Sequence, residues 1–305
     1  MNKVIVTGAT GFIGRNLVRK LADLGFNICA IVRPNSANRD KLDVAKNIEV
    51  IELDMSDIDR LPTLIVGKCD IFCHLAWEGV RGEDRDNHEL QVNNYLNSLK
   101  TIKAAHDLGC QLYMTTGSQA EYGVCNREIH EAIQCKPNTE YGLQKYQFFQ
   151  DGMNLAKKLG ISFKEARIFS LYGPGDNENT LVCSVLNKML DNKEIDLTVG
   201  THDWNFLYID DAVDGMVKLI TGKCPEGAYN LSGDETKILR DFVESMYRET
   251  KSKSILNFGA VPYPESGPVG IKPNNSRLKR ETGWMPKIDF VTGINKMIAK
   301  LIEKR

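Results

Sequence analysis

Tyr141 and Lys145 are the residues whose types and spacing most directly permit proton chemistry in this chain. Residues four apart on a helix lie on one face, so this spacing places an ammonium group near a phenol. A neighbouring positive charge favours the phenolate, and we therefore expect Lys145 to lower the pKa of Tyr141. A Tyr and a Lys four apart also occur on many solvated helices, so this interpretation depends on the rest of the chain.

A glycine-rich stretch near the N terminus predicts a phosphate-binding turn. Residues 6–14 read V-T-G-A-T-G-F-I-G, after a β-rich run at 3–7 and at the start of a helical apolar pattern. Glycines permit a tight turn and close backbone approach, and the helix N terminus directs N–H groups at a pyrophosphate. The alternative is an ordinary turn between strand and helix. Because strand, helix and a following strand are all present, we predict a dinucleotide site, with the contacts Gly8, Thr10, Gly11, Phe12, Ile13 and Gly14.

The end of the second predicted strand should read the adenosine ribose of such a cofactor. An acid there accepts from a 2′-hydroxyl and favours NAD, whereas a cation suits the 2′-phosphate of NADP. The chain has Arg33 at this point and no acid between Leu24 and Asp40, which favours NADP, with NAD as the alternative. The alternative for Arg33 itself is a solvated surface side chain. Asp54 and Met55 follow the third strand, where the adenine is expected.

The remaining pattern predicts an α/β fold of the Rossmann type, with a doubly wound parallel sheet covered by helices on both faces. Strands are predicted at 3–7, 27–33, 48–53, 70–75, 111–116 and 161–169, with helices between them. After residue 172 the alternation loosens, and a strand pair is predicted at 195–199 and 206–209. We therefore expect a nucleotide-binding domain over 1–172 and a smaller substrate domain mainly within 173–305, with the chain free to cross between them.

Composition excludes several other classes of protein. The chain has 305 residues and a net charge of −1 without basic or acidic blocks, so nucleic acid and membrane surfaces are not expected partners. No apolar run reaches the ~20 residues of a membrane helix, and the first strand begins too early for a signal peptide. The cysteines and histidines lack metal-ligand spacing, so no metal is expected. A reduced, cytoplasmic protein is the expectation.

Several motifs together resemble a known family. They are V-T-G-A-T-G-F-I-G, H-L-A-W (74–77), V-N (92–93), T-T-G-S-Q-A-E-Y-G (115–123), Y-G-L-Q-K (141–145), A-R-I-F-S-L-Y-G-P-G (166–175), W-N-F-L-Y-I-D-D-A-V (204–213) and N-S-R-L-K-R-E-T-G-W (275–284). In this order they resemble the extended short-chain dehydrogenase/reductases, and specifically the nucleotide-sugar epimerase/dehydratase/reductase group. The resemblance covers nearly the whole chain, and the ordered set is far more specific than any one motif.

The resemblance implies a role for each matching position. Tyr141 would be the acid/base, Lys145 would hold the nicotinamide ribose and depress the pKa of Tyr141, and Ser118 would bond the reacting oxygen. Asn93 matches a water-holding asparagine. Further cofactor contacts would be Leu75, Ala76, Trp77 and Thr116. The resemblance also implies a nucleotide-sugar substrate and a homodimer paired through the helices predicted at 86–108 and 138–159.

Departures from the family pattern indicate the branch. Dehydratases carry Asp-Glu directly after the catalytic Ser or Thr, but Gln119 and Ala120 stand here; Glu121, one place further, is a weak substitute. Epimerases tend to have Asn at position 170 and Arg at 204, where this chain has Ser170 and Trp204. The whole set looks most like reductases of nucleoside-diphosphate 4-keto-6-deoxyhexoses that use NADPH, with an NAD-dependent 4-epimerase as the alternative.

Contacts to the substrate are the least specific expectation. Ser118 and Gln119 lie in the catalytic loop, and Arg81 and Arg85 either contact substrate or are solvated. Lys272 and Arg277 are candidates for the substrate pyrophosphate, with surface charge as the alternative. A rival of another class is a redox sensor that binds NADP without turnover, but sensors tend to lose the Ser, Tyr and Lys that this chain retains.

Overall fold

The computed structural model describes residues 2–125, 127–263, 269–303 and 305. Its strands are β1 Lys3–Thr7, β2 Asn27–Val32, β3 Ile48–Glu52, β4 Ile71–His74, β5 Leu112–Ser118, β6 Ser162–Ile168, β7 Ser170–Tyr172, β8 Ile195–Leu197, β9 Asp203–Tyr208, β10 Gly227–Leu231, β11 Thr236–Ile238 and β12 Leu256–Phe258. Its α-helices are α1 Phe12–Asp23, α2 Leu61–Leu64, α3 His88–Asp107, α4 Glu140–Lys158, α5 Leu181–Leu190, α6 Ile209–Thr221, α7 Leu239–Thr250, α8 Ser276–Thr282 and α9 Phe290–Glu303.

Seven of these strands form one parallel sheet in the order β10-β6-β5-β4-β1-β2-β3. Successive side chains of a strand point to opposite faces, and here each face is covered by helices, so the inner strands β1, β2 and β4 are mostly apolar. The strand β6 is an exception, because it carries the buried charges Lys164, Glu165 and Arg167. Val4 and Val6 belong to one core with α1 and α6, whereas Ile5 belongs to the other core with α3 and α4. The predicted doubly wound α/β fold is therefore confirmed.

The strand order reverses between β1 and β4. The chain runs outward from β1 to β3 and then returns to β4 on the other side of β1. Such a reversal leaves a crevice at the carboxyl ends of the strands, where open α/β sheets bind ligands. Thr7, His74 and Ser118 end β1, β4 and β5, so the glycine turn and the catalytic loop open onto this crevice.

A smaller region carries a three-stranded sheet, β11-β9-β7, and a two-stranded sheet, β12-β8. The predicted strand pair at 195–199 and 206–209 is wrong in its pairing. Both strands exist, but β8 pairs with β12, and β9 pairs with β7 and β11. Between β3 and β4, where the alternation of strands and helices predicts a helix, the chain forms a 3₁₀ turn over Met55–Arg60 followed by the short α2. Part of the Pro/Gly-rich stretch 262–273 lies outside the described residues.

The chain returns to the large sheet after residue 172. Helix α6 packs against α1, and β10 adds a parallel edge strand beside β6. Residues 209–231 therefore contribute to the nucleotide-binding half. The domain boundary predicted at residue 172 does not divide the hydrophobic cores or the strands of the sheets between two domains. Among the described residues, no helix combines the length and apolarity needed to cross a membrane.

Candidate active site

The turn between β1 and α1 has the geometry of a phosphate cradle. Gly8 has a φ of +67°, and a Cβ there would lie 2.8 Å from the backbone N of Ala76. A Cβ at Gly14 would lie 2.1 Å from the carbonyl oxygen of Gly8. Side chains are excluded at these two positions, so the backbone of the turn is left bare at the N terminus of α1. This arrangement fits the pyrophosphate of a dinucleotide.

A cavity of about 660 Å³ begins at this turn and runs along the carboxyl ends of β1, β2 and β4. A second cavity of about 370 Å³ shares Gly8, Gly11, Leu75 and Trp77 with it and contains the catalytic loop. The structure brings every predicted cofactor residue to one of these two cavities. The first is lined by Gly8, Thr10, Gly11, Arg33, Asp54, Met55, Leu75, Ala76, Trp77 and Asn93, and the second adds Phe12, Ile13, Gly14, Thr116, Tyr141 and Lys145.

The ribose end of the first cavity has more polar groups than the sequence predicted. Ser36 and Asn38 line it beside Arg33, and the hydroxyls of Thr10 and Ser36 lie 3.2 Å apart. Glu78 lines it too, and its carboxylate lies 2.6 Å from the guanidinium of Arg33. Sequence reasoning missed these residues, although Ser36 and Asn38 follow Arg33 closely on the same loop.

The second cavity, called here the catalytic cavity, brings together Ser118, Tyr141 and Lys145. Ser118 lies at the end of β5, where its hydroxyl accepts a bond from the backbone N–H of Ala120. Helix α4 begins at Glu140 because the Thr139 side chain accepts from the backbone N–H of Gly142. Tyr141 therefore lies in the first turn of α4 and faces the cavity.

Lys145 is held in a dry position beneath this cavity. It is 3% exposed, and its Nζ donates to the carbonyl oxygen of Thr116 at 2.8 Å and lies 3.9 Å from the ring centre of Trp77. Burial lowers the pKa of Lys145 to about 8, although Glu121 and Glu165 oppose this by their negative charge. Lys145 can therefore lose its proton close to neutral pH.

The expected effect of Lys145 on Tyr141 is not what the structure shows. Burial raises the pKa of Tyr141, and the opposing influences come from the Ser118 hydroxyl and from Arg85. The guanidinium carbon of Arg85 lies 4.8 Å from the centre of the Tyr141 ring, whereas the Lys145 ammonium is directed at Thr116 and Trp77. The cation that stacks on the phenol therefore comes from the loop after β4, and no helical spacing could have revealed it.

The predicted substrate contacts fall into two groups. Gln119 and Arg81 line the catalytic cavity. The Gln119 Oε1 is buried without a hydrogen-bond partner among the described residues, and Arg81 lies 3.3 Å from the carboxylate of Asp176. Both positions are compatible with a polar substrate.

Lys272 and Arg277 do not line these cavities. Lys272 is exposed, and its backbone carbonyl accepts from Ile129. Arg277 donates to the carbonyls of Ala228 and Glu226, so it caps the chain around β10. These bonds hold Arg277 beside β10 and outside both cavities, and its contact with the substrate pyrophosphate stays a prediction.

Glu121 does not face the catalytic cavity. Its carboxylate is completely buried, accepts the backbone N–H of Ser118 at 2.6 Å, and pairs with the Nε of Arg167 at 2.8 Å. Both carboxylate oxygens are therefore committed to protein donors.

A third cavity, of about 450 Å³, lies in the smaller region between β8, β9 and α7. Its lining includes the aromatic groups of His202, Trp204 and Tyr263, and the Trp204 Nε1 is buried without a partner among the described residues. Trp204 also packs against the cluster that contains Phe169, a residue of the catalytic cavity. In the sequence, Trp204 stood out only as a departure from the family pattern.

The sheet is doubly wound, a glycine turn without side chains lies at its crevice, and a Ser-Tyr-Lys set lies beside that crevice. These features define a class of α/β proteins that bind dinucleotides and are of the oxidoreductase type. Residues 4–232 match the model of the NAD dependent epimerase/dehydratase family, and the chain belongs to this family.

Relatives of stated activity extend along the whole chain. CDP-abequose synthase of Salmonella typhimurium is 26% identical, with 98% of each chain covered. The dTDP-4-dehydro-6-deoxyglucose reductase of Escherichia coli is 24% identical, again with 98% of each chain covered. The solved structure of a dTDP-glucose 4,6-dehydratase from Streptomyces venezuelae, with NAD bound, superimposes with a TM-score of 0.87 at 19% identity and covers 99% of this chain and 98% of that one. The chain is thus similar along its length to proteins that are named for reactions on nucleotide-linked sugars.

Proposed function

We propose that this protein reduces the 4-keto group of a nucleoside-diphosphate 4-keto-6-deoxyhexose with NADPH. The observation that carries the proposal is the set of titratable groups in the catalytic cavity. Among the described residues these are Tyr141, Lys145, Arg81 and Arg85, without an Asp, Glu, His or Cys. One tyrosine suffices for a reaction that moves a single proton, and carbonyl reduction is such a reaction.

Each residue of the catalytic set has a role in that reaction. The bound nicotinamide would supply the hydride. Ser118 donates a hydrogen bond to the carbonyl oxygen of the substrate, and Tyr141 gives that oxygen a proton as it gains negative charge. Lys145 contributes positive charge at the floor of the cavity, where its Nζ is held by the carbonyl oxygen of Thr116.

Dehydration is a poorer fit to this geometry. Elimination of water needs further groups that accept and donate protons at the sugar. Neither Gln119 nor Ala120 has a side chain that can accept or donate a proton in this way. Glu121 is buried, and its carboxylate is bonded to Ser118 and Arg167. A carboxylate held in this way does not reach a substrate in the catalytic cavity.

The choice of NADP rests on the ribose end of the cofactor cavity. Arg33, Ser36 and Asn38 offer one charge and two neutral polar groups to a 2′-phosphate. Glu78 favours the alternative, because a carboxylate beside Arg33 repels a phosphate and accepts from a 2′-hydroxyl. An NAD-dependent nucleotide-sugar 4-epimerase is therefore the second candidate.

The names of the relatives support the substrate class. One makes a CDP-linked sugar and the other reduces a dTDP-linked 4-dehydro-6-deoxyglucose. We place the sugar against Gln119 and Arg81, and the nucleotide in the third cavity, whose aromatic lining suits a base.

The proposal is tested by following nicotinamide absorbance. Purified protein is mixed with NADPH, or with NADH, and with cytidine or deoxythymidine diphospho-4-keto-6-deoxyglucose. Consumption that is faster with NADPH supports a reductase and the assignment of Arg33. If neither cofactor is consumed while NAD stays bound and unmodified nucleotide sugars interconvert, the protein is an epimerase. Tight NADPH binding with no turnover of either kind would instead indicate a sensor.

A further inference from the structure

A cluster of buried charges lies directly behind the catalytic loop. Arg167 on β6 directs its Nε at Glu121 Oε2, at 2.8 Å, and at Glu165 Oε1, at 2.9 Å. All three side chains are at most 2% exposed. Charges are rarely removed from water to this degree, and such groups cost stability unless they are paired or neutralised.

The two carboxyl groups crowd against the same piece of backbone. A Cβ at Gly117 would lie 2.5 Å from Glu121 Oε1 and 2.6 Å from the carboxyl carbon of Glu165. Gly117 immediately precedes Ser118, whose N–H donates to Glu121 at 2.6 Å. The cluster is thus in direct contact with the backbone that carries the catalytic hydroxyl.

Among the described residues, Arg167 is the one cation that bonds to the two carboxyl groups, since the Nζ of Lys145 donates to the Thr116 carbonyl oxygen and acts on the pair only from a distance. The guanidinium carbon of Arg167 lies between the rings of Tyr122 and Phe149, at 4.8 Å from each ring centre. These rings keep water away from the charges, so water does not stabilise them. Like charges held close together in a dry site retain a proton between them. Consistently, burial and the neighbouring Glu121 raise the pKa of Glu165 well above its usual range. The titratable or charged groups facing the pair are Arg167, Lys145, Tyr141, Tyr146, Tyr122 and Cys135.

We propose that Glu121 and Glu165 share one proton and form a positioning pair, in which the Glu121 carboxylate fixes the backbone of Ser118 while the single negative charge of the pair faces Lys145. The shared proton is independent of the reaction, whereas the positioning role rests on the proposed function. Neither glutamate touches the catalytic cavity, so the pair acts through Ser118 and Lys145.

The shared proton is tested by infrared spectroscopy of the full chain at pH 8, where exposed carboxyl groups are ionised. We expect a carbonyl stretch from one protonated carboxyl group that shifts when glutamate is labelled with ¹³C, which separates it from any aspartic acid. Glu165→Gln and Glu121→Gln should each abolish this band, because the remaining carboxyl group ionises beside Arg167. Glu249→Gln is the control, since Glu249 accepts the side-chain N–H of Asn295 between α7 and α9 and lines none of the three cavities. Absence of the band in the unmodified protein, or its survival in either variant, overturns the shared proton.

The positioning role is tested by kinetics with whichever substrate the unmodified protein converts. An amide at position 121 offers one acceptor to two N–H donors, so Glu121→Gln loses one of its two bonds. We expect kcat to fall about tenfold, with the substrate KM and the NADPH Kd changed less than about twofold. Glu165→Gln keeps the Glu121 carboxylate and should lose less, and Glu249→Gln should retain normal kcat.

A purely structural role would lower thermal stability and leave kcat per folded molecule unchanged, and that result overturns the positioning role. If Glu121→Gln does not fold, Glu121→Asp serves instead, because it keeps the charge beside Arg167 but is too short to keep the bond to Ser118. The infrared result stands even if no keto sugar is reduced, so failure of this inference and failure of the proposed function give different data.

Discussion

Burial affects the protons of Tyr141 and Lys145 in opposite ways. It disfavours the phenolate of Tyr141, whose pKa rises, and it disfavours the ammonium of Lys145, whose pKa falls to about 8. Near neutral pH the site therefore holds a neutral phenol above a lysine that is still mostly protonated and that loses its charge as the pH rises through about 8. A tyrosine that keeps its proton is suited to act as an acid, which is the direction that carbonyl reduction requires.

Replacing Tyr141 by Phe removes the acid while preserving the ring that packs at 6.3 Å from Trp77. We expect turnover to fall by about 10²–10⁴-fold, the usual contribution of a general acid, with NADPH affinity nearly unchanged. Stopped-flow absorbance and fluorescence titration of NADPH measure the two quantities. A variant that kept most of its activity would contradict the assignment of Tyr141.

The pH dependence of kcat should report on Lys145. Because its pKa lies near 8, the ammonium is present below that pH and is lost as pH rises through it. We expect activity to decline above about pH 8. A lysine with its ordinary pKa of about 10.4 would keep its charge to a much higher pH. A pH–rate profile with saturating substrates measures this, and the protein must remain folded by circular dichroism across the range. A profile that stays flat to pH 10 would show that the charge of Lys145 is not needed.

At the scale of elements, the sequence predicted the parts whose signals are local. β-rich runs of five to nine residues between glycine turns and amphipathic helices predicted β1 to β6. The strands β7, β10, β11 and β12 have at most five residues each, and their pairing depends on partners distant in the chain. No local pattern distinguishes such segments from loops.

The candidate site divides in the same way. The glycines and the Tyr-Lys spacing were predicted because their function depends on adjacent turns of one segment. Glu165 and Arg167 were missed as site elements because a neighbouring strand brings them to Ser118. Arg85 was named only as a substrate contact or a solvated side chain, because its position over Tyr141 depends on the fold of a loop. Their proximity is a property of sheet register: Gly117 on β5 lies opposite Arg167 on β6.

The β1–α1 turn provides a prediction for this scale. Gly14→Ala places a methyl group 2.1 Å from the Gly8 carbonyl oxygen, so the turn must open. We expect a loss of about 1–3 kcal/mol in unfolding free energy, as for other overpacked positions, together with weaker NADPH binding.

Gly11→Ala is the matched control for that change, because its Cβ would lie 3.2 Å from the same oxygen without backbone strain. Its unfolding free energy, measured by urea denaturation, should stay closer to that of the unmodified protein. Equal losses in both variants would contradict the packing argument.

At the scale of the whole molecule, we expect a homodimer formed through α3 and α4. These helices pack together beside the large sheet and leave Leu96 and Leu143 48% and 44% exposed. An isologous pairing of the two helices would bury both side chains. Sedimentation velocity should give a dimer for the unmodified protein and a monomer for Leu96→Asp. Val66→Asp is the control, since Val66 is 91% exposed and lies outside both helices, and it should remain dimeric. A monomeric unmodified protein would refute the proposal.

The return of the chain through β10 has a consequence for exchanging parts between relatives. Asn230 on this strand accepts the Tyr122 hydroxyl at 2.7 Å, so residues late in the chain support the loop that carries Ser118. A chimera that replaced everything after residue 172, in order to import a new sugar preference, would also import a foreign edge strand and a foreign partner for Tyr122. Specificity is therefore more safely transplanted as two pieces that spare residues 209–231 than as one C-terminal block.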